Sequence, residues 1–596
     1  MPKRIAIVDN TKLKDEDKKK HIQSLCPINR TGKECITIEG KKLLIDESLC
    51  IGCGICVNAA PEAIKIINLP SALEKQPIHR HSLNGFVLYN LPIPIFGKVV
   101  GIIGINGIGK STAIKILADV LKPNLGEIGK EATIQDLINY FKGTEAQLYF
   151  EKVKKGLIKV AYKPQQVDLI AKQYSGKVID LLKKVDSQNE TSRLQEITNL
   201  FELDKLLDRD ISVISGGELQ RVAIAATFLK KANLYIFDEP TSYLDIKQRL
   251  KISKLIKNLA SEKNQDNEIA VIVIEHDLIA LDYMADIVHV MYGNTGSYGV
   301  VSQPKQTKNG INSFLEGYLR EENVRFRETK LQFNIKNPFK SNTIQVIANW
   351  PYFEKSIGDF KLIANEGNIK YNEKIGILGV NGIGKTSFIK VLAGELKPDN
   401  WEKSFSEDNK KIKVSYKPQY LNSDSEELVM VLLQEAIQKY NVELIRPLDI
   451  NPLFLKKINE LSGGELQRVA IAYCLSKEAD LYLLDEPSAY LDVEQRLIVS
   501  KVISNIVELR KVSVVVVDHD LLFLDYLSER LIVFQGEPAV RGESFGPYDM
   551  EKGMNTLLKD LEITLRRDEE TKRPRINKED SFKDREQKRE GKYYYV

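Results

Sequence analysis

Ser215 to Ala225 reads SGGELQRVAIA, and Ser462 to Ala472 reads SGGELQRVAIA again. A core or solvated helix tolerates many substitutions, so an identity of this length inside one chain marks repeated chemistry rather than repeated packing. Working outward, each copy is followed by an apolar strand pattern ending in Asp-Glu-Pro: LYIFDEP from Leu234 to Pro240 and LYLLDEP from Leu481 to Pro487. Each copy is also preceded by a phosphate-loop pattern, Gly104-x4-Gly109-Lys110-Ser111 and Gly379-x4-Gly384-Lys385-Thr386. Both loops follow a strand pattern and open a helical one. In that setting backbone N–H groups cradle phosphates, the lysine reaches the terminal ones, and the Ser or Thr hydroxyl binds magnesium. The candidate phosphate-binding residues are Gly104, Asn106, Gly107, Gly109, Lys110, Ser111 and Thr112 in the first copy. In the second they are Gly379, Asn381, Gly382, Gly384, Lys385, Thr386 and Ser387.

Between loop and repeat, YKPQ occurs twice and supplies Gln165 and Gln419, candidates for sensing magnesium and the attacking water. The strand ends supply Asp238 and Asp485 as magnesium-side carboxylates, and Glu239 and Glu486 as the bases that orient or activate water. SYLD and AYLD follow, ending at Asp245 and Asp492. IVIEHD and VVVDHD then place His276 and His519 just beyond apolar strands, a matched use of two of the chain's six histidines. Two strand–loop–helix nucleotide domains in tandem make the fold class α/β.

At 596 residues the chain has room for roughly three to five domains. An apolar content of 43% with 28% charged residues fits globular domains, and a net charge of only +4 gives no global signal for nucleic acid, so any such contact must be local. No apolar run approaches the ~20 residues that span a bilayer, and MPKRIAIVD lacks the apolar core of a secretory signal. The expectation is a cytoplasmic protein without a membrane partner. Six cysteines are too few for a disulfide scaffold, and four of the five in the first 75 residues, Cys26, Cys50, Cys53 and Cys56, form a pattern that points to metal.

In that region KRIAIVD, LLIDESL and AIKIINL read as short strands, with CIGCGIC between the last two. The C-x2-C-x2-C run resembles half of a bacterial-type ferredoxin, whose motif continues x3-C-P; here the fourth position is Ala60. In two-cluster ferredoxins the fourth cysteine of each run ligates the other cluster, and Cys26-Pro27 is the chain's one Cys-Pro. The resemblance therefore implies one 4Fe–4S cluster on Cys26, Cys50, Cys53 and Cys56, with the second site vestigial: Ile22 stands where a cysteine of the first run would be. Zinc and inert thiols are the alternatives. Cys35 and Cys474 have no partner nearby in sequence and read as buried or half-buried thiols.

The order of phosphate loop, YKPQ, SGGELQR, DEP strand, YLD loop and EHD or DHD histidine resembles the ATP-binding cassette (ABC) superfamily over nearly residues 80 to 540. That resemblance implies that each ATP is sandwiched between one half's phosphate loop and the other half's signature. Lys110, Gln165, Asp238, Glu239 and His276 would share a site with Ser462, Gly463, Gly464 and Glu465. Lys385, Gln419, Asp485, Glu486 and His519 would share one with Ser215, Gly216, Gly217 and Glu218. Ser111, Gln165 and Asp238, and Thr386, Gln419 and Asp485, would hold Mg2+. Phe86 and Phe360 stand where the superfamily stacks an aromatic ring on adenine.

The halves are not equal. Lys110 to Gln165 spans 55 residues and Lys385 to Gln419 only 34. The excess, IQDLINYFKGTEAQLYFEKVKKG, reads as two short amphipathic helices around Lys142-Gly143-Thr144. Exposed aromatics and lysines there would suit ribosomal RNA or protein. NGINSFLEGYLREENVRFRE and KGMNTLLKDLEITLRRDEETKRPRIN, one after each half, look like duplicated hinges whose arginines (Arg325, Arg327, Arg566, Arg567, Arg573 and Arg575) bridge the halves or reach RNA phosphate. The tail from Lys578 to Lys592 alternates charge without apolar periodicity and is expected to be partly mobile. The expected domains are 1–75 (ferredoxin-like, α+β), 76–308 (first ABC domain, insert at about 131–155), 309–340 (hinge), 341–550 (second ABC domain) and 551–596 (second hinge and tail).

Taken whole, the chain resembles the ABC subfamily E ribosome-recycling ATPases, also called the RNase L inhibitor family, of archaea and eukaryotes. The resemblance implies a monomer whose two nucleotide-binding domains form an intramolecular dimer. It implies ATP-driven splitting of post-termination or stalled ribosomes, a release-factor or Pelota-like partner, and residence on the small subunit among ribosomal RNA, ribosomal proteins and initiation factors. Where the family has two clusters, one set of ligands survives here. The competing readings are a soluble tandem-ABC translation factor without splitting activity and an ATP-gated iron–sulfur redox protein, for which no second electron carrier motif is visible.

Overall fold

Four runs in the first half, VVGII, LYIFD, AVIVI and VAYK, are β-rich and almost wholly apolar, the signature of parallel strands covered on both faces. In the computed structural model they form the parallel centre of a nine-stranded sheet: Val160–Lys163, Leu234–Asp238, Ala270–Ile274 and Val99–Ile103 lie side by side in that order. Ile287–Asn294 continues the sheet in parallel; Tyr298–Val301 then pairs with it antiparallel, and Val87–Tyr89 lies parallel to Tyr298–Val301. The second half repeats the arrangement in eight strands, with Val414–Lys417, Leu481–Asp485, Ser513–Val517 and Lys374–Leu378 adjacent and parallel. Because parallel strands present their carboxyl ends on one side, this order gathers the phosphate loop, the YKPQ glutamine and the DEP acids of each half at one edge of its sheet.

The structure describes residues 4–68, 76–186, 191–261, 263–264, 267–331, 345–400, 412–419 and 424–594. The expected boundary at residue 75, the hinge beyond residue 331 and the expected start of the second ABC domain at residue 341 lie outside them. The chain forms two units. The first comprises Met1–Pro240, Lys257–Glu275 and Ala285–Glu328; the second comprises Thr241–Ile256, His276–Met284 and Thr329–Val596. Two segments encoded within the first motif set, those of Asp245 and His276, thus belong to the second unit.

In the first unit, the N-terminal region pairs Arg4–Val8 with Ile64–Asn68 and packs the helices Glu16–Leu25 and Ile55–Ala59 around a small core. Ile22 and Ala60, the two positions that lack the ferredoxin cysteines, are both fully buried in that core. The region is fastened to the first sheet through polar contacts. Asn84 exchanges two hydrogen bonds with the Ile45 backbone, at 2.8 and 3.0 Å, and Arg80 pairs with Glu47.

Helices Ile134–Tyr140 and Glu145–Lys154 flank Gly143, which takes φ +81°. Their aromatic residues correct the expectation of an exposed contact surface. Phe141, Tyr149 and Phe150 are buried, Phe141 stacks on Phe150 at 5.5 Å, and the Tyr149 hydroxyl donates to the Leu117 carbonyl at 3.0 Å. The rings face inward because each helix buries its apolar side against the phosphate-loop helix and its sheet, leaving the lysines outside.

The C-terminal segment also differs from expectation. Phe582–Glu590 is a helix capped by Ser581, held by a Thr564–Asp584 hydrogen bond of 2.6 Å in which the hydroxyl donates. Arg573 is wholly buried and, with Arg575, converges on Asp282 at 3.2 and 2.6 Å; Arg567 pairs with Asp525 at 2.6 Å. Arg573, with no exposed surface, does not reach RNA phosphate. Among the described residues no helix is long and apolar enough to cross a membrane.

Candidate nucleotide and thiol sites

Each phosphate loop is shaped by left-handed glycines that admit no side chain. Gly109 and Gly384 sit at φ +96° and +99°, and a Cβ there would lie 2.6 Å from the Phe86 ring and 2.9 Å from the Phe360 ring. The two candidate adenine-stacking rings therefore lie directly against the loops. The Lys110 ammonium donates to the carbonyls of Gly104 and Ile105 at 2.8 and 2.9 Å, and Lys385 donates to Gly379 and Val380 at 3.0 and 2.7 Å. Burial brings Lys385 down to about 8, against the pull of Glu486, Asp245 and Asp485.

The strand-end acids complete each cradle. Asp485 is fully buried, and neither carboxylate oxygen has a hydrogen bond of ordinary geometry. Burial pushes it up to about 6, with the Thr386 hydroxyl the leading opposing influence. Asp238 is shifted upward by burial in the same way, opposed by Lys163 and then Ser111. A buried carboxylate beside a loop hydroxyl, short of partners, fits a divalent cation.

Glu239 and Glu486 follow at φ +48° each, a left-handed conformation rare for glutamate and stored at functional sites. That backbone turns each carboxylate toward its glutamine: Gln165 Nε2 donates to Glu239 Oε1 at 2.7 Å and Gln419 Nε2 to Glu486 Oε1 at 2.8 Å. His519 Nε2 stands 3.5 Å from the same Glu486 oxygen. Burial alone would raise Glu486, but His519, Lys385 and Gln419 together hold it at about 2. The carboxylate is thus ionised and aimed, as a residue that orients water must be. His276 is buried at the start of His276–Met284.

Two lysines of YKPQ escaped the sequence reading. Lys163, fully buried, donates to the carbonyls of Asp238 and Glu239 at 2.9 and 3.1 Å; Lys417 donates to Asp485 at 2.7 Å. The signature glutamines do similar work. Gln220 Nε2 donates to the carbonyls of Glu239 and Pro240 at 2.8 and 2.9 Å, and Gln467 Nε2 to that of Glu486 at 2.6 Å. Their identity in both copies was the available signal.

Ser215 and Ser462 cap the helices Gly216–Leu229 and Gly463–Ser476 in reciprocal boxes with Glu218 and Glu465. The box fixes the first helical turn with its N–H groups outward, an arrangement suited to anions. In the second unit, Asp245 Oδ2 accepts the Asn381 N–H at 2.9 Å, which lays the YLD segment of the first motif set on the second phosphate loop.

The cysteines gather as well. Cys26, Cys50, Cys53 and Cys56 line one recess walled by isoleucines, and Cys35 lines it too. Cys35 is buried, as its sequence reading expects, and its thiol donates to the Asp46 carbonyl at 3.8 Å while sharing the recess with Cys26 and Cys50. Burial, followed by Cys50 and Cys53, pushes the Cys56 thiol up to about 11. Among the described residues no set of three or more His, Cys, Asp or Glu side chains closes to metal-ligand distance. Thiols in an apolar wall nevertheless fit a soft metal centre better than a hydrated ion.

One order of phosphate loop, glutamine, capped signature helix and strand-end acid pair, built twice on sheets with parallel centres, defines a tandem ABC-type ATPase, an enzyme that uses ATP with Mg2+. The family model described as ABC transporter matches residues 96–242 and 364–489. The chain belongs to the E family of ABC proteins: it is 45% identical to ABC transporter E family member 1 of Arabidopsis thaliana, across 100% of this chain and 99% of the relative. Two solved structures are similar. A model of ribosome-bound archaeal Pelota and ABCE1 matches at TM-score 0.90 and 48% identity, covering 100% of this chain and 99% of that one. A complex of archaeal ribosomal stalk protein aP1 with archaeal ribosome recycling factor aABCE1 matches at TM-score 0.81 and 50% identity, covering 88% and 100%.

Proposed function

We infer that this chain is an ATP-driven ribosome recycling factor that separates post-termination or stalled ribosomes into subunits, working in the cytoplasm with a Pelota-like or release-factor partner. The observation that carries the reading is similarity over the whole chain, cysteine region included, to a protein seen with Pelota on the ribosome.

Each signature serves the nucleotide on the other half's phosphate loop. Ser462 to Glu465 complete the site of Lys110, and Ser215 to Glu218 that of Lys385. The contact of Asp245 with Asn381 supports this crossed reading. Lys110 and Lys385 bind the terminal phosphates, Phe86 and Phe360 stack the base, and Glu239 and Glu486 orient water, assisted by Gln165, Gln419, His276 and His519. Magnesium, held by Ser111, Gln165 and Asp238 or by Thr386, Gln419 and Asp485, supplies charge neutralisation on the phosphates. ATP closes the halves because signature contacts form only when they meet; phosphate release removes those contacts. The N-terminal region, fastened through Asn84 and Arg80, moves with the first sheet. Cys26, Cys50, Cys53 and Cys56 would hold one 4Fe–4S cluster, which stiffens that region.

The test is subunit separation with purified ribosomes, ATP and a Pelota-type factor. The expected result is ATP-dependent splitting. Normal ribosome binding with no splitting would leave a translation factor of another kind.

A further inference from the structure

Five thiols face a recess for which a four-iron cluster needs four ligands. The fifth is Cys35, and its neighbours are specific. The turn before Ile36–Glu39 presents it on the same recess as Cys26 and Cys50; its backbone carbonyl accepts the Asp46 N–H at 2.7 Å, which fixes the turn against the loop leading to Cys50. Cys26 itself stands at the junction of two helices, Glu16–Leu25 and Pro27–Arg30, with backbone φ −66° and ψ 121°. The surrounding wall, including Ile36, Ile45 and Ile66, is apolar.

We propose that Cys35 is a reserve ligand of the cluster, able to take the iron held by Cys26. The proposal rests on the cluster assignment made above. In the exchange the iron–sulfur bond at Cys26 breaks as one at Cys35 forms, and the Cys35 proton passes to the Cys26 sulfur. No electron moves and no oxidant is needed. The chain would then keep its single cluster through loss or modification of the ligand that lies farthest in sequence from the other three.

Iron and sulfide analysis with visible absorption of the purified full chain tests this. The wild type should hold about four iron atoms per chain; no iron, or zinc in its place, overturns the cluster assignment itself. Given a loaded wild type, Cys26→Ala should retain most of its iron and Cys26→Ala/Cys35→Ala should lose it, while Cys53→Ala should lose it with Cys35 intact. Loss from Cys26→Ala as complete as from the double variant overturns the reserve role, and so does loss from Cys35→Ala alone, which would make Cys35 a primary ligand. Should Cys26→Ala fail to fold by circular dichroism, the rate of iron release from Cys35→Ala to a chelator decides. A rate several-fold above wild type supports the proposal, and an unchanged rate overturns it.

Discussion

The Lys417 ammonium lies 2.7 Å from the carbonyl oxygen of Asp485, fully inside the second unit, and Lys163 repeats the contact with Asp238 at 2.9 Å. Each lysine ties the end of one parallel strand to the acid pair at the end of the next. Burial lowers Lys417 to about 8, with Asp485 and Glu486 drawing it back up. Lys417→Met keeps the volume but leaves the Asp485 carbonyl unpaired, at a cost of about 2 kcal/mol. It also frees the backbone that aims Glu486, so ATP turnover should fall roughly tenfold or more. Thermal unfolding and steady-state hydrolysis measure the two effects; a variant as active as wild type would show that the lysine holds structure alone.

Glu239 and Glu486 are held alike, at φ +48° with a glutamine amide on one oxygen. Replacing both by Gln preserves shape but removes the charge that orients water. Turnover should drop by about a hundredfold or more while nucleotide is retained. Rapid filtration with labelled ATP and single-turnover assays report retention and hydrolysis separately, and undiminished turnover would remove both residues from the chemistry.

What could be read from the chain was whatever repeats or alternates. The phosphate loops, DEP strands and signatures are local patterns whose geometry follows from strand–turn–helix order, so the α/β sheets and their carboxyl-end loops were visible in advance. Lys163 and Lys417 were overlooked because lysine is rarely fully buried, and only the sheet places their carbonyl acceptors. The rings of YFKGTEAQLYF read as exposed because the insert's periodicity does not say which face meets the core. Cys35 stayed isolated because its place on the cysteine recess depends on a turn and hairpin that no spacing rule encodes.

Asp245 connects the two motif sets within the second unit. One carboxylate oxygen caps its own helix at Gln248 N, 2.9 Å, and the other accepts the Asn381 N–H at 2.9 Å. Asp245→Ala should cost about 1 kcal/mol for the cap and leave the Asn381 N–H without its acceptor. In a Glu239→Gln background, where hydrolysis comes from the second phosphate loop, Asp245→Ala should lower turnover several-fold beyond what its stability loss explains. Equal turnover with and without the substitution would show that this contact does not support catalysis.

His289 sets an acid limit on stability. It is 1% exposed; its Nδ1 donates to the Ser302 carbonyl at 2.7 Å, and its Nε2 accepts the Ile93 N–H at 3.2 Å. Only the neutral ring meets both partners, since a protonated Nε2 would face another donor. Burial lowers it from 6.5 to about 4; Lys305 adds to that shift, while Ser302 and Glu322 oppose it. The folded state therefore binds this proton more weakly than the unfolded chain. The associated stability is fully present above pH 6.5 and is lost as pH falls toward 4. The loss is about 3 kcal/mol across that window. His289→Gln should be less stable than wild type at pH 7.5, and the gap should narrow as pH falls, because glutamine does not titrate. Denaturant midpoints of both proteins at several pH values across that window measure this, and parallel pH profiles would exclude His289 as the titrating group.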